Sequence, residues 1–98
     1  MAEEITVIRN ADENRFEVTL GEEIALIDYN IAGKNIIYTH TEVPVGHEGK
    51  GIAKKMAYEA MEYARREGLK VQALCPFVKK YVIKHPEYHD ITWGFNKK

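Results

Sequence analysis

His47-Glu48-Gly49-Lys50-Gly51-Ile52-Ala53 is the stretch on which the reading of this 98-residue chain turns. Two glycines one residue apart lead straight into an amphipathic run. Glycine permits tight turns and a close approach of backbone to a ligand. A helix starting there aims free backbone N–H groups and the positive end of its dipole into the loop. That is a site for a phosphate or pyrophosphate. The run itself, Gly51 to Glu67, carries Ile52, Ala53, Met56, Ala57, Ala60, Met61 and Ala64 on one helical stripe. Lys55–Glu59 and Glu62–Arg66 are i,i+4 pairs on the wet face, each worth ~0.3 kcal/mol. Gly68 is a stop just past the end. The loop is not a P-loop, because Gly51 is followed by Ile52 where that motif needs Lys-Ser/Thr. Nor is it a dinucleotide fingerprint, because Lys54 stands where the third small residue belongs.

Four strand patterns precede the loop. Ile5–Ile8 is short and ends in the polar turn Asn10–Asn14. Phe16, Val18 and Leu20 alternate with Glu17 and Thr19. From Glu23 to Ile31, Ala25, Ile27, Tyr29 and Ile31 share one face. Ala32-Gly33-Lys34 is a hairpin turn. From Asn35 to Val43, Ile36, Tyr38, His40 and Glu42 share one face, and Ile37, Thr39 and Thr41 the other. After the first helix comes a fifth strand, Lys70–Leu74, and a second helix from Pro76 to about Lys84. His85-Pro86-Glu87-Tyr88 ends that helix, and Ile91–Phe95 is one more strand or a packed cap. The order β-β-β-β-α-β-α predicts an α/β (α+β mixed) fold. Its mixed sheet is mostly antiparallel, with the strands joined by the helix, the fourth and fifth, parallel.

The length suits a single domain over residues 1–98. Forty-five per cent of residues are hydrophobic, 30% are charged, and the formal net charge is −1, so any anion site is local. That balance speaks against nucleic acid and an anionic membrane as partners. One cysteine excludes a disulfide framework within the chain. The acidic Met1-Ala2-Glu3-Glu4 has no signal-peptide pattern, and no apolar run approaches a membrane span. A cytoplasmic protein, monomeric or weakly dimeric, is expected. The four histidines lack a metal-ligand spacing, so no metal is expected.

Strand, glycine loop and helix together resemble the GNAT-type (GCN5-related) N-acetyltransferases. Their acetyl-coenzyme A loop reads Arg/Gln-x-x-Gly-x-Gly/Ala, and the match here is Glu48-Gly49-Lys50-Gly51-Ile52-Ala53, with Glu48 in place of Arg or Gln. The likeness extends to a compact, roughly hundred-residue group in which His40-Thr41-Glu42-Val43, the glycine loop, Cys75 and His85-Pro86-Glu87-Tyr88 recur in this order. It implies an acetyl-CoA-dependent N-acetyltransferase acting on an unidentified amine, a small molecule or a protein. A coenzyme A-binding module with little catalysis is the alternative, and a plain interaction domain a third reading. The resemblance also implies a cleft where the fourth and fifth strands splay. The pyrophosphate meets the backbone of residues 48–53, and the pantetheine arm lies along Glu42-Val43 as an added strand. Lys50, Lys54, Lys79 and Lys80 are the candidates to balance phosphate charge.

Acetyl transfer to an amine needs a base, oxyanion donors and, for the leaving thiolate, an acid. Cys75 stands at the end of the fifth strand beside Pro76, at a helix start that favours thiolate. It is a candidate acyl acceptor, or else a buried packing residue. His40 and Glu42 are candidate bases. Tyr81, six residues after Cys75, resembles the tyrosine general acid of larger family members.

Overall fold

The computed structural model describes residues 5–95, so the reading of Met1–Glu4 falls outside it. Five strands form one sheet in the order β1 (Ile8–Asn10), β2 (Arg15–Leu20), β3 (Glu23–Ala32), β4 (Asn35–Glu42), β5 (Lys70–Ala73). Only β4 and β5 are parallel. Helix α1 (Ile52–Arg66) links them, and α2 (Pro76–Ile83) follows β5. The mixed α/β topology is the one the alternation and the helical period predict.

The first strand lies later than its pattern suggested. Pairing runs Ile8↔Glu17 to Asn10↔Arg15, while Ile5 and Val7 pack half-buried against the core. Asn10 Oδ1 accepts the Glu13 N–H at 3.1 Å, so a polar residue that looked like the turn closes the strand pair instead. Asn14, at φ 55°, completes the turn.

Alternation holds through β2 and β3. Phe16, Val18, Ala25, Ile27 and Tyr29 are buried under α1, whereas Ile31, beside the hairpin turn, is 47% exposed. α1 answers with Ile52, Met56, Ala57, Ala60, Met61 and Ala64, all buried. Its alanines let the helix axis approach the sheet, so that the Tyr38 hydroxyl donates to the Ala60 carbonyl at 2.7 Å in the core. Burial pushes that phenol far up. Lys55 and Glu59 pair at 3.4 Å. The second expected pair does not form: Glu62 accepts the Tyr88 hydroxyl at 2.6 Å, and Arg66 lies over Tyr63. Gly68, at φ +71°, stops the helix, with the Leu69 N–H returning to the Ala64 carbonyl at 2.9 Å.

Past α2 the chain makes a 3-10 turn, Pro86–Ile91. The tail is a cap with one bridge, Val71↔Thr92, and the Trp93 N–H donates to the Val71 carbonyl at 2.8 Å. Among the described residues no helix is long and apolar enough to cross a membrane.

Candidate functional site

The site begins where β4 and β5 part. They pair from Asn35↔Lys70 to Tyr38↔Ala73 and then stop. The Tyr38 carbonyl accepts both the Leu74 and the Cys75 N–H, each at 3.0 Å, and among the described residues nothing pairs on that side of β4 beyond it. The end of β4 therefore offers an open edge.

A bulge sets the side chains at this edge. Opposite β3, Tyr29 faces Tyr38 but Asp28 faces His40, so Thr39 is an extra residue. Residues directly opposite share a face. Thr41, paired with Ile27, thus points to the helix side, while His40 and Glu42 point to the other. This corrects the simple alternation, which put His40 and Glu42 beside Ile36 and Tyr38. Both side chains are largely exposed, and His40 Nε2 stands 3.6 Å from Glu42 Oε1.

A cleft of about 720 Å³ fills the splay. Thr39, His40, Thr41 and Val43 form one wall, Cys75, Pro76 and Phe77 the other, and residues from His47 to Lys54 close one end. Gly49 and Gly51 sit at φ +80° and +81°, conformations that L side chains rarely adopt. Gly51 is the N-cap of α1 with no side-chain cap. The first helical bond, Lys55 N–H to the Gly51 carbonyl, is 3.0 Å. The N–H groups of Ile52, Ala53 and Lys54 therefore have no intrahelical acceptor. No acidic residue stands in the first turn, and the Glu48 carboxylate turns back to the Gly46 N–H at 3.0 Å. An uncapped helix end with its nearby carboxylate held aside suits a pyrophosphate.

Cys75, 3% exposed, is the N-cap of α2, and its Sγ lies 2.8 Å from Thr41 Oγ1 across the cleft. Of the other expected residues, Val43, Glu48, Gly49, Gly51, Ile52, Ala53 and Lys54 line the cleft. Lys50 lines a neighbouring hollow with His47. Lys79 and Lys80 are exposed on α2 and are not part of the lining. Tyr81 is not brought to the cleft either: its ring stacks on His85 with centroids 3.9 Å apart and faces Tyr88. Burial pushes its phenol up. Thr41, Phe77 and His47 also line the cleft. The first and last were given no role from the sequence beyond their place in quoted motifs, and Phe77 was not singled out. The side to which Thr41 points follows only from the bulge. Among the described residues no group of three or more His, Cys, Asp or Glu gathers to hold a metal.

Known proteins resemble this chain in sequence and in fold. A family profile of GCN5-related N-acetyl-transferases matches residues 15–91. Protein NATD1 of Mus musculus is 35% identical over 85 residues, covering 84% of this chain and 77% of its own. Protein NATD1 of Homo sapiens is 35% identical over 85 residues, with 84% and 75% covered. The solution structure of a GCN5-like protein from Staphylococcus aureus has a TM-score of 0.69 and 29% identity, over 93% of this chain and 90% of that one.

Proposed function

Because the chain belongs to the GCN5-related N-acetyltransferase family, we propose that it transfers an acetyl group from acetyl-coenzyme A to an amine. One observation carries this reading: the uncapped N-terminus of α1 opens at one end of a cleft whose wall is the free edge of β4. The backbone N–H groups of residues 49–54 take the pyrophosphate, with Lys50 and Lys54 adding charge. Main-chain groups of Thr39 to Val43 pair with the pantetheine amides as an added strand would.

The thioester then lies toward Cys75 and His40. The amine nitrogen attacks the acetyl carbonyl, the C–S bond breaks, and the thiolate takes up a proton. His40 receives the proton shed by the amine, and Glu42 supports the imidazolium from 3.6 Å. Cys75, 2.8 Å from Thr41 Oγ1, is the candidate to take the acetyl group first. Its sulfur bonds the acetyl carbon as the coenzyme A C–S bond breaks, and its thiol proton passes to the coenzyme A sulfur. The amine attack just described then falls on the Cys75 thioester, whose sulfur is the thiolate that takes up a proton. Tyr81 acts in packing. Isothermal titration with acetyl-coenzyme A and coenzyme A tests the reading. Micromolar binding with turnover of an amine supports it. Binding without turnover of any amine favours the coenzyme A-binding module, and no binding at millimolar ligand overturns both.

A further inference from the structure

Between Glu67 and Glu87 the chain has no acidic residue and four lysines, although its formal net charge is −1. Three of the four, Lys79, Lys80 and Lys84, lie on α2 and its C-cap. Val78, Tyr81 and Val82 turn the buried side of that helix to the core. Pro76, Lys79, Lys80, Ile83 and Lys84 recur at i, i+3, i+4, i+7 and i+8 and are exposed, so they form a single outward stripe. Its one large apolar residue, Ile83, is 53% exposed. The ion pairs among the described residues are Arg15–Glu17, His40–Glu42, His47–Glu23, Lys55–Glu59 and Arg65–Asp90, and none takes a lysine of this stripe.

The elements packed against α2 leave the stripe cationic. On α1, Glu59 pairs with Lys55, Glu62 accepts the Tyr88 hydroxyl, and Arg65 holds Asp90 of the 3-10 turn. Arg66 and Glu67, at the far end of α1, offset each other beside Tyr63. On β4 Glu42 stands beside His40, and on β5 Lys70 lies over Trp93. Among the described residues this leaves Glu87, in the 3-10 turn, set against Lys79, Lys80 and Lys84. Lys54 in the cleft and Lys50 in the adjoining hollow add positive charge, and the Glu48 carboxylate is turned to the Gly46 N–H. The stripe starts at the cleft and leads away from it. Pro76 lines the cleft, and Lys80 and Lys84 follow one and two turns on, about 6 and 12 Å along the helix axis. A coenzyme whose phosphates sit at the N-terminus of α1 does not need these lysines, which stand outside the lining. They suit a larger anionic body outside the cleft with a pantetheine arm inside it. Nothing aromatic stands in the stripe to stack a base, and one large apolar residue is too little to seat a helix in lipid.

We propose that the cleft takes acetyl groups from a second donor, an acidic carrier protein that bears the acetyl thioester on a phosphopantetheine arm. The arm enters along Thr39 to Val43 as the same part of coenzyme A does, and its single phosphate meets the N-terminus of α1. Carboxylates of the carrier lie on Lys79, Lys80 and Lys84 around Ile83. This rests on the acetyl-transfer reading and names a donor class for the same cleft. Atoms and protons move as with the coenzyme. The Cys75 sulfur bonds the acetyl carbon as the C–S bond of the arm breaks, and the Cys75 thiol proton passes to the sulfur of the arm. The carrier leaves with a free thiol, and the amine then takes the acetyl group from Cys75.

The test uses the whole protein and an acidic acyl carrier protein, prepared without its arm and with a free-thiol arm. Titration calorimetry follows the carrier alone and in competition with coenzyme A. The free-thiol carrier is expected to bind, to displace coenzyme A, and to bind more weakly as salt rises. The carrier without its arm is expected to leave coenzyme A in place. Lys79→Glu combined with Lys80→Glu is expected to raise the Kd for the carrier about tenfold or more, and Lys79→Gln with Lys80→Gln by less, both with the affinity for coenzyme A unchanged. The proposal falls if coenzyme A binds but the free-thiol carrier does not compete with it. It falls if charge reversal weakens coenzyme A as much as the carrier, since the lysines then serve the phosphates of the coenzyme. Binding of phosphatidylglycerol vesicles that is lost on charge reversal, with no binding of the carrier, assigns the stripe to a lipid surface and also overturns it. In each of those cases the coenzyme A reading stands. If neither coenzyme A nor the carrier binds, that reading and this inference fall together.

Discussion

Replacing Gly51 by alanine separates the local cost of a backbone conformation from the loss of a ligand site. Gly51 sits at φ +81° and ψ 7°. An L-residue in the left-handed region costs about 1–2 kcal/mol. A Cβ there meets nothing within 4 Å, so no clash adds to that figure. Gly33, in the β3–β4 turn at φ +63°, has the same freedom and the same open space. Both Gly51→Ala and Gly33→Ala should therefore lower the melting temperature by a similar amount, about 4–8 °C for each kcal/mol in a domain of this size. They should differ in ligand affinity. Strain at residue 51 is relieved by rotating it toward negative φ, which swings the free N–H groups of Ile52 and Ala53 away from the cleft. Losing one charge-assisted hydrogen bond to phosphate is worth about 1.5–3 kcal/mol, a rise in Kd of about tenfold to a hundredfold. Thermal melts and titration calorimetry with coenzyme A on the three proteins decide the matter. If Gly51→Ala loses stability yet binds coenzyme A like the unaltered protein, the N-terminus of α1 is not the phosphate site.

Other outcomes are expected. Glu48→Gln keeps an acceptor for the Gly46 N–H but removes a negative charge beside the phosphates; calorimetry should show tighter coenzyme A binding, with the gain shrinking as salt rises. Incubation with acetyl-coenzyme A should add one acetyl group to the protein by mass spectrometry, stable in the absence of an amine and missing in Cys75→Ala; Thr41→Val should slow its appearance, because the contact of 2.8 Å to the sulfur is lost, and Thr41→Ser should restore it. Tyr38 bears on alkaline stability. Its folded-state proton is held well above the ordinary range by burial, so from about pH 10 upward the unfolded chain releases a proton that the folded chain keeps. Stability is whole below about pH 10 and falls above it, by up to about 1.4 kcal/mol per pH unit for this one group. Urea titrations of Tyr38→Phe should show a flatter alkaline decline, after a loss of about 1 kcal/mol near neutrality from the bond to Ala60.

The helix α1 was legible because its apolar residues obey a single period and face a single surface, and Gly51 and Gly68 bound it at both ends. The glycine loop was legible for a related reason: uncapped N–H groups follow from where the helix starts. The orientation of His40, Thr41 and Glu42 was not. Thr39-His40-Thr41-Glu42 is polar throughout, so no apolar residue marks the place where the bulge reverses the alternation. The cross-strand partner, two residues of β4 against one step of β3, makes it visible. Tyr81 shows another limit. Its distance along the chain from Cys75 fitted a role at the cleft, but its direction is set by His85, one helical turn on, and by Tyr88, which reaches it only after the chain turns at Pro86. Lys79 and Lys80 fail in the same way, since a helix pattern gives their spacing and not the surface they look onto. Asn10 read as turn because it is polar, yet it lies on an edge strand where one face is wet.

The most direct test of the central claim is a titration of the isotopically labelled protein with coenzyme A, followed through its backbone amide resonances. Shifts are expected to concentrate in residues 39–43, 48–54 and 75–77, largest at Ile52 and Ala53, with the β1–β2 turn unmoved. Shifts elsewhere with residues 48–54 silent, or no shifts at millimolar coenzyme A, would contradict that claim.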